Sequence, residues 1–174
     1  MSAFGMTYAM YVAIVGGSLI AFDAPPQEPY AQPVAPAWLY SVGRNDPAKM
    51  TPGADGFLSL EYRPNEEIRW GFKPTYALGL SVDGAAYVSG GIRKDFRVGP
   101  LQVTPYFGPA LYQKQFGTEF TPKGLVQFRT GFDVFVPVTP KVSVGLGYYH
   151  MSNANMSNES AGVDVTRFTV QYRY

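Results

Sequence analysis

Cysteine is absent from this 174-residue chain, and histidine occurs once. The first absence excludes disulfide staples and thiolate metal sites. The second excludes a multi-histidine zinc centre, and no residue cluster implies any other cofactor. Charge is also sparse: 16% of residues are charged and the formal net charge is +1, which argues against a general nucleic-acid binder. No convincing amphipathic helix competes for any long segment, and 15 prolines with 19 glycines argue against a helical bundle. What the chain has in their place is an aromatic content of 16% spread over segments bounded by turn residues, the composition of an all-β fold. At this length one domain is expected, large enough for a packed core or a small closed barrel.

Residues 3–22 are nearly all apolar or small and carry no charge. The stretch is just long enough for a membrane-spanning helix, but ahead of a β-rich region a secretory signal is the better reading. The expected division is a signal peptide over 1–24, a Pro-rich linker over 25–36 and a barrel over 37–174. The signal is atypical. No Lys or Arg precedes Arg44, and no clean A-x-A site lies near Phe22-Asp23-Ala24. A misassigned start codon would account for the missing basic residues.

From Ala37 onward the chain divides into eight alternating segments, approximately 37–43, 56–63, 69–81, 85–97, 100–113, 124–136, 141–152 and 163–174. In most of them one parity is apolar or aromatic and the other small, polar or charged. In the seventh, Val142, Val144, Leu146 and Tyr148 oppose Ser143, Gly145, Gly147 and Tyr149. In the eighth, Phe168, Val170, Tyr172 and Tyr174 oppose Arg167, Thr169, Gln171 and Arg173. The third sets Trp70, Phe72, Tyr76, Leu78 and Leu80 against Gly71, Lys73, Thr75 and Gly79.

A soluble, lipocalin-like barrel would turn the apolar parity inward; a membrane barrel turns it out to lipid. The polar faces favour the second. They place Lys73, Arg129, Asp133 and Arg167 at mid-strand among many glycines, which suits a narrow, cross-paired lumen. Strands of about ten residues match a tilted membrane span, and the aromatic-rich final strand resembles the terminal signature of bacterial outer-membrane barrels. The expected fold is therefore all-β, an eight-stranded antiparallel transmembrane β-barrel in the bacterial outer membrane, with side chains filling its interior. With an even strand number both termini lie at the periplasmic side. The connections at 44–55, 82–84, 114–123 and 153–162 then face outward.

His150 and Ser152 close the seventh strand on its apolar parity, and Asp164 opens the eighth on the same parity. A base, a hydroxyl and a carboxylate of this kind can form a nucleophilic set for ester cleavage. Polar residues are also common at barrel rims, so spacing alone leaves both readings open. The stretch His150-Met151-Ser152-Asn153-Ala154, followed by Gly162-Val163-Asp164 and the aromatic strand, resembles the lipid A 3-O-deacylase (PagL-type) family. The similarity extends upstream through Leu60-Glu61-Tyr62-Arg63-Pro64, Phe72-Lys73-Pro74, Asp83-Gly84, Thr104-Pro105-x-Phe107-Gly108-Pro109 and Phe128-Arg129-x-Gly131, covering roughly 58–174.

The resemblance implies an outer-membrane esterase that removes an ester-linked acyl chain from lipid A in the outer leaflet, without metal or organic cofactor. Ser152 would be the nucleophile, His150 the general base and Asp164 the orienting acid. Asn153 and Asn158 are the oxyanion candidates. The family's characterised members use Glu at the acid position, and Asp is one methylene shorter. Glu159 is a rival acid, and Lys114 and Lys123 are candidates for meeting lipid A phosphates. The implied partner is lipopolysaccharide in the membrane, with no nucleic acid. The oligomeric state stays open, a homodimer being one option. A structural or adhesive barrel that retains the scaffold without the activity is the competing reading.

Overall fold

The alternating segments become a two-faced wall in the computed structural model of the protein, which describes residues 35–45, 56–82, 84–113, 124–153 and 162–174. The strands among these residues are β1 (Ala37–Asn45), β2 (Gly56–Arg63), β3 (Lys73–Ser81), β4 (Ala86–Arg93), β5 (Phe96–Val98), β6 (Leu101–Gln113), β7 (Val126–Pro137), β8 (Val142–Ser152) and β9 (Val163–Arg173). Hydrogen-bonded neighbours run β4-β3-β2-β1-β9-β8-β7-β6-β5, and pairing of β4 with β6 closes the ring. β4 and β5 are one strand in two pieces. Arg93↔Tyr106 and Phe96↔Val103 keep a single register against β6. The ladder lapses between them, where Pro105 has no N–H to donate. The result is a closed antiparallel barrel of eight strands, as the alternation implies. Of the segments assigned from sequence, residues 1–34 lie outside the described residues, as do Lys114, Lys123, Asn158 and Glu159.

The third strand begins later than its alternation suggests, at Lys73 and not at 69. Residues 69–72 form a tight reversal in which the Phe72 N–H donates to the Arg69 carbonyl at 3.0 Å. Trp70 and Gly71 both have positive φ, 55° and 78°, the backbone of a two-residue hairpin turn. The Arg69 guanidinium lies 4.3 Å from the Trp70 ring centroid. Side-chain alternation cannot register such a turn when aromatic residues continue through it.

Exposure settles which face meets lipid. Leu146 is 64% exposed at mid-strand, whereas Arg167 on the adjoining strand is 1% exposed. Tyr40, Leu58, Tyr76, Leu80, Val88 and Leu111 share the outer wall with Leu146 and are also exposed. A continuous apolar belt of this kind is untenable in water but expected against acyl chains. This excludes the soluble lipocalin-like arrangement.

Inside, charged groups are cross-paired. Glu61 accepts from Arg63 Nε at 2.6 Å, Arg129 Nη2 at 3.0 Å and Arg167 Nη2 at 3.2 Å. Asp133 accepts from Arg167 Nη2 at 2.8 Å and also pairs with Arg63. The Tyr106 hydroxyl accepts from Arg129 and Arg167, each at 3.3 Å. Of the four charges expected in the lumen, Arg129, Asp133 and Arg167 join this cluster. Lys73 sits apart and half-buried, donating to Asn65 Oδ1 at 2.7 Å. The cluster fits because Gly147 faces it: a Cβ there would lie 1.9 Å from Asp133 Oδ1. A glycine-lined wall thus makes room for the charges that plug the barrel.

Candidate active site

Strand register brings His150 and Asp164 together. They are Cα partners across β8 and β9, and both continue the outward parity of Leu146 and Phe168. Directly opposed side chains in an antiparallel pair start about 5 Å apart at Cβ, so a short acid reaches without strain. The His150 Nδ1 lies 2.8 Å from Asp164 Oδ1. The missing methylene relative to Glu therefore does not prevent contact. Both side chains are partly open, 26% exposed for His150 and 42% for Asp164, at the end of the barrel opposite the termini.

Ser152 lies two residues further along β8 on the same face, half-buried beside Phe128, its Cα partner on β7. Two residues of strand span about 6.7 Å, so the imidazole and the hydroxyl are neighbours on one wall. Among the described residues no hydrogen bond joins Ser152 to His150. Asn153, the next residue, is buried at 3% exposure, so its side chain turns into the protein and away from the wall that carries Ser152. Among the described residues no group of three His, Asp or Glu side chains is placed to hold a metal ion.

Two neighbours of the histidine were not assigned to the site from sequence. The Tyr148 hydroxyl donates to Asp164 Oδ1 at 2.6 Å. Alternation marks Tyr148 only as lipid-facing. The signal that finds it is register: Tyr148 is opposite Thr166, and thus diagonal to Asp164, within reach of a long side chain. Gly162 is the other. A Cβ built on it would fall 2.4 Å from His150 Cε1 and 2.8 Å from Nε2. Gly162→Ala is therefore expected to displace the imidazole while leaving the strands intact. The measurement is catalytic rate beside thermal unfolding: a clear loss of rate with an unchanged midpoint is the expected result, and equal rates would mean that the ring has another resting place.

A model of the lipid A 3-O-deacylase (PagL) family matches residues 55–173. The chain belongs to this family. The matched span includes β2 through β9 and every described residue of the site, and agrees with the resemblance carried by the sequence motifs. No curated protein matches the chain. Among solved structures, the outer membrane enzyme PagL superposes with a TM-score of 0.60 at 11% identity, covering 79% of this chain and 99% of that one. A de novo designed transmembrane β-barrel gives 0.58 at 12% identity over 86% of this chain and 100% of its own. The N-terminal barrel of Pseudomonas aeruginosa OprF gives 0.56 at 7% identity, covering 79% and 97%. At these identities the superpositions establish the barrel fold, and the family assignment rests on the sequence model. As a PagL-family barrel, the protein is embedded in the bacterial outer membrane.

Proposed function

We propose that this barrel hydrolyses the ester-linked 3-O acyl chain of lipid A through Ser152, His150 and Asp164. The observation that carries this reading is the His150–Asp164 contact on the lipid-facing wall, with Ser152 on the same face two residues away. With Asp164 accepting from Nδ1–H, the Nε2 lone pair of a neutral His150 is left to act as base. Ser152 Oγ attacks the acyl carbonyl as Nε2 takes its proton. The tetrahedral intermediate collapses, and His150 returns the proton to the departing sugar oxygen. Water, deprotonated by the same nitrogen, then attacks the acyl-enzyme and releases the fatty acid. With the Asn153 side chain turned inward, the oxyanion falls to Asn158 or to the backbone N–H of Asn153 that follows the nucleophile. Such donors typically contribute about 3–4 kcal/mol.

The outer wall suits the substrate. Phe107 and Phe128 stack at 5.9 Å between centroids beside Ser152, giving an acyl chain an apolar surface to follow without leaving the bilayer. Arg44 is exposed at the same rim, in register with Thr166 of β9, which is itself paired with Tyr148 of β8. Among the described residues it is the one Lys or Arg on the lipid-facing wall at this end, and it favours an anionic headgroup. Arg44→Ala is expected to raise KM for phosphorylated lipid A several-fold and to leave a dephosphorylated substrate unaffected. Equal KM changes on both substrates would remove Arg44 from the headgroup site.

The deciding experiment is mass spectrometry of lipid A from cells expressing the wild type or Ser152→Ala. Loss of one 3-hydroxyacyl chain with the wild type alone is the expected result. Intact lipid A in cells holding well-inserted wild type would return the protein to the structural or adhesive reading.

A further inference from the structure

We infer that Tyr148 is a positioning residue for the reaction, acting through Asp164. The inference rests on the function proposed above and adds a fourth group to it. Asp164 Oδ1 accepts from two donors at once, the Tyr148 hydroxyl at 2.6 Å and the His150 imidazole at 2.8 Å. The donors reach it from different directions. His150 lies directly across the strand pair, while Tyr148 lies one diagonal step nearer the membrane interior. An aspartate has only two side-chain torsions, so two donors on one oxygen leave its carboxylate little freedom.

The chemistry of the contact also selects a protonation pattern. A phenol at neutral pH is a donor, and an ionised carboxylate only accepts. Donation from Tyr148 therefore favours the acceptor form of Asp164, which in turn requires the His150 proton to sit on Nδ1. That is the tautomer whose Nε2 can take the serine proton. A neutral acid donating to Nδ1 would leave the proton on Nε2 and the base blocked. Tyr148 thus reinforces the productive tautomer without touching the substrate.

Position argues the same way. An aromatic residue near the membrane surface ordinarily turns its polar tip toward water and headgroups. Here that same direction carries the hydroxyl onto the acid, one step nearer the surface, while the ring packs against Phe132 with centroids 6.3 Å apart. Phenylalanine retains that packing and deletes only the donor.

The test is a double-mutant cycle on lipid A deacylation by the purified, folded barrel, combining Tyr148→Phe with Asp164→Ala. Tyr148→Phe alone is expected to lower kcat by about 10- to 100-fold, with KM changed by no more than about twofold. In the Asp164→Ala background the same substitution is expected to have no further effect, because the group through which it acts is gone. An equal loss in both backgrounds, a change confined to KM, or no loss would each overturn the inference. Ser152→Ala run in parallel separates the two readings: a dead Ser152→Ala beside a fully active Tyr148→Phe rejects only the role of Tyr148. An active Ser152→Ala rejects the catalytic set itself.

Discussion

Ser152→Ala is expected to lower the rate of lipid A deacylation by about 10,000-fold or more while the barrel folds as before. The first half follows from the absence of any substitute for an oxygen nucleophile in this position; the second from where the side chain sits. Among the described residues the Ser152 side chain makes no hydrogen bond, and it lies half-buried against an apolar wall that a methyl group suits equally well. His150→Ala should cost about as much. The double substitution should be no worse than either single one, since the two groups act as a unit. Asp164→Asn should be milder by one or two orders of magnitude, because an orienting group acts through the base. The His150–Asp164 distance of 2.8 Å leaves little for a longer acid to improve, so Asp164→Glu is expected to bring no gain. Release of 3-hydroxy fatty acid from lipid A in mixed micelles measures all five variants. A Ser152→Ala protein retaining even a few per cent of the wild-type rate would sink the nucleophile assignment.

The parity of the last two strands was enough to turn Leu146 and Phe168 outward, and with them His150, Ser152 and Asp164. Period-two alternation is a strong signal because a one-residue slip would expose Arg167 to lipid and bury Leu146. Cross-strand detail is weaker in the sequence. Asp164 being directly opposite His150 depends on the register between β8 and β9, which alternation alone does not fix. The doubt about a shorter acid was therefore a question of register, answered only by pairing. The same limit hid Tyr148, a residue of apolar parity whose hydroxyl finds a carboxylate on the diagonal. Gly162 could be quoted as part of a motif, but its reason, room for an imidazole, shows only once its backbone lies against His150. In the lumen, alternation turns Glu61 inward as it does Arg129, Asp133 and Arg167, but it gives no sign that three guanidiniums converge on that one carboxylate.

Glu61→Gln is therefore expected to be the most damaging single change to the barrel's stability. The central cluster holds Arg63, Arg129 and Arg167 against Glu61 and Asp133, all almost wholly buried. It carries one positive charge in excess. Removing the Glu61 charge leaves three guanidiniums facing Asp133 alone, and Thr75, which donates to Glu61 at 2.8 Å, loses its charged acceptor. Deleting one partner of a buried ion pair typically costs about 3–5 kcal/mol, because the other is left uncompensated in a medium that solvates it poorly. The measurement is urea unfolding of detergent- or lipid-refolded protein, followed by tryptophan fluorescence. The paired control is Glu61→Leu with Arg129→Met, which removes one charge of each sign and keeps the excess at one. Apolar replacement of a buried pair is often close to neutral, so the double variant should regain most of the loss. Equal instability in the single and double variants would mean that Glu61 matters as packing volume and not as a counter-charge. The site lies on the opposite face of the wall, so the double variant, once folded, should deacylate lipid A at close to the wild-type rate.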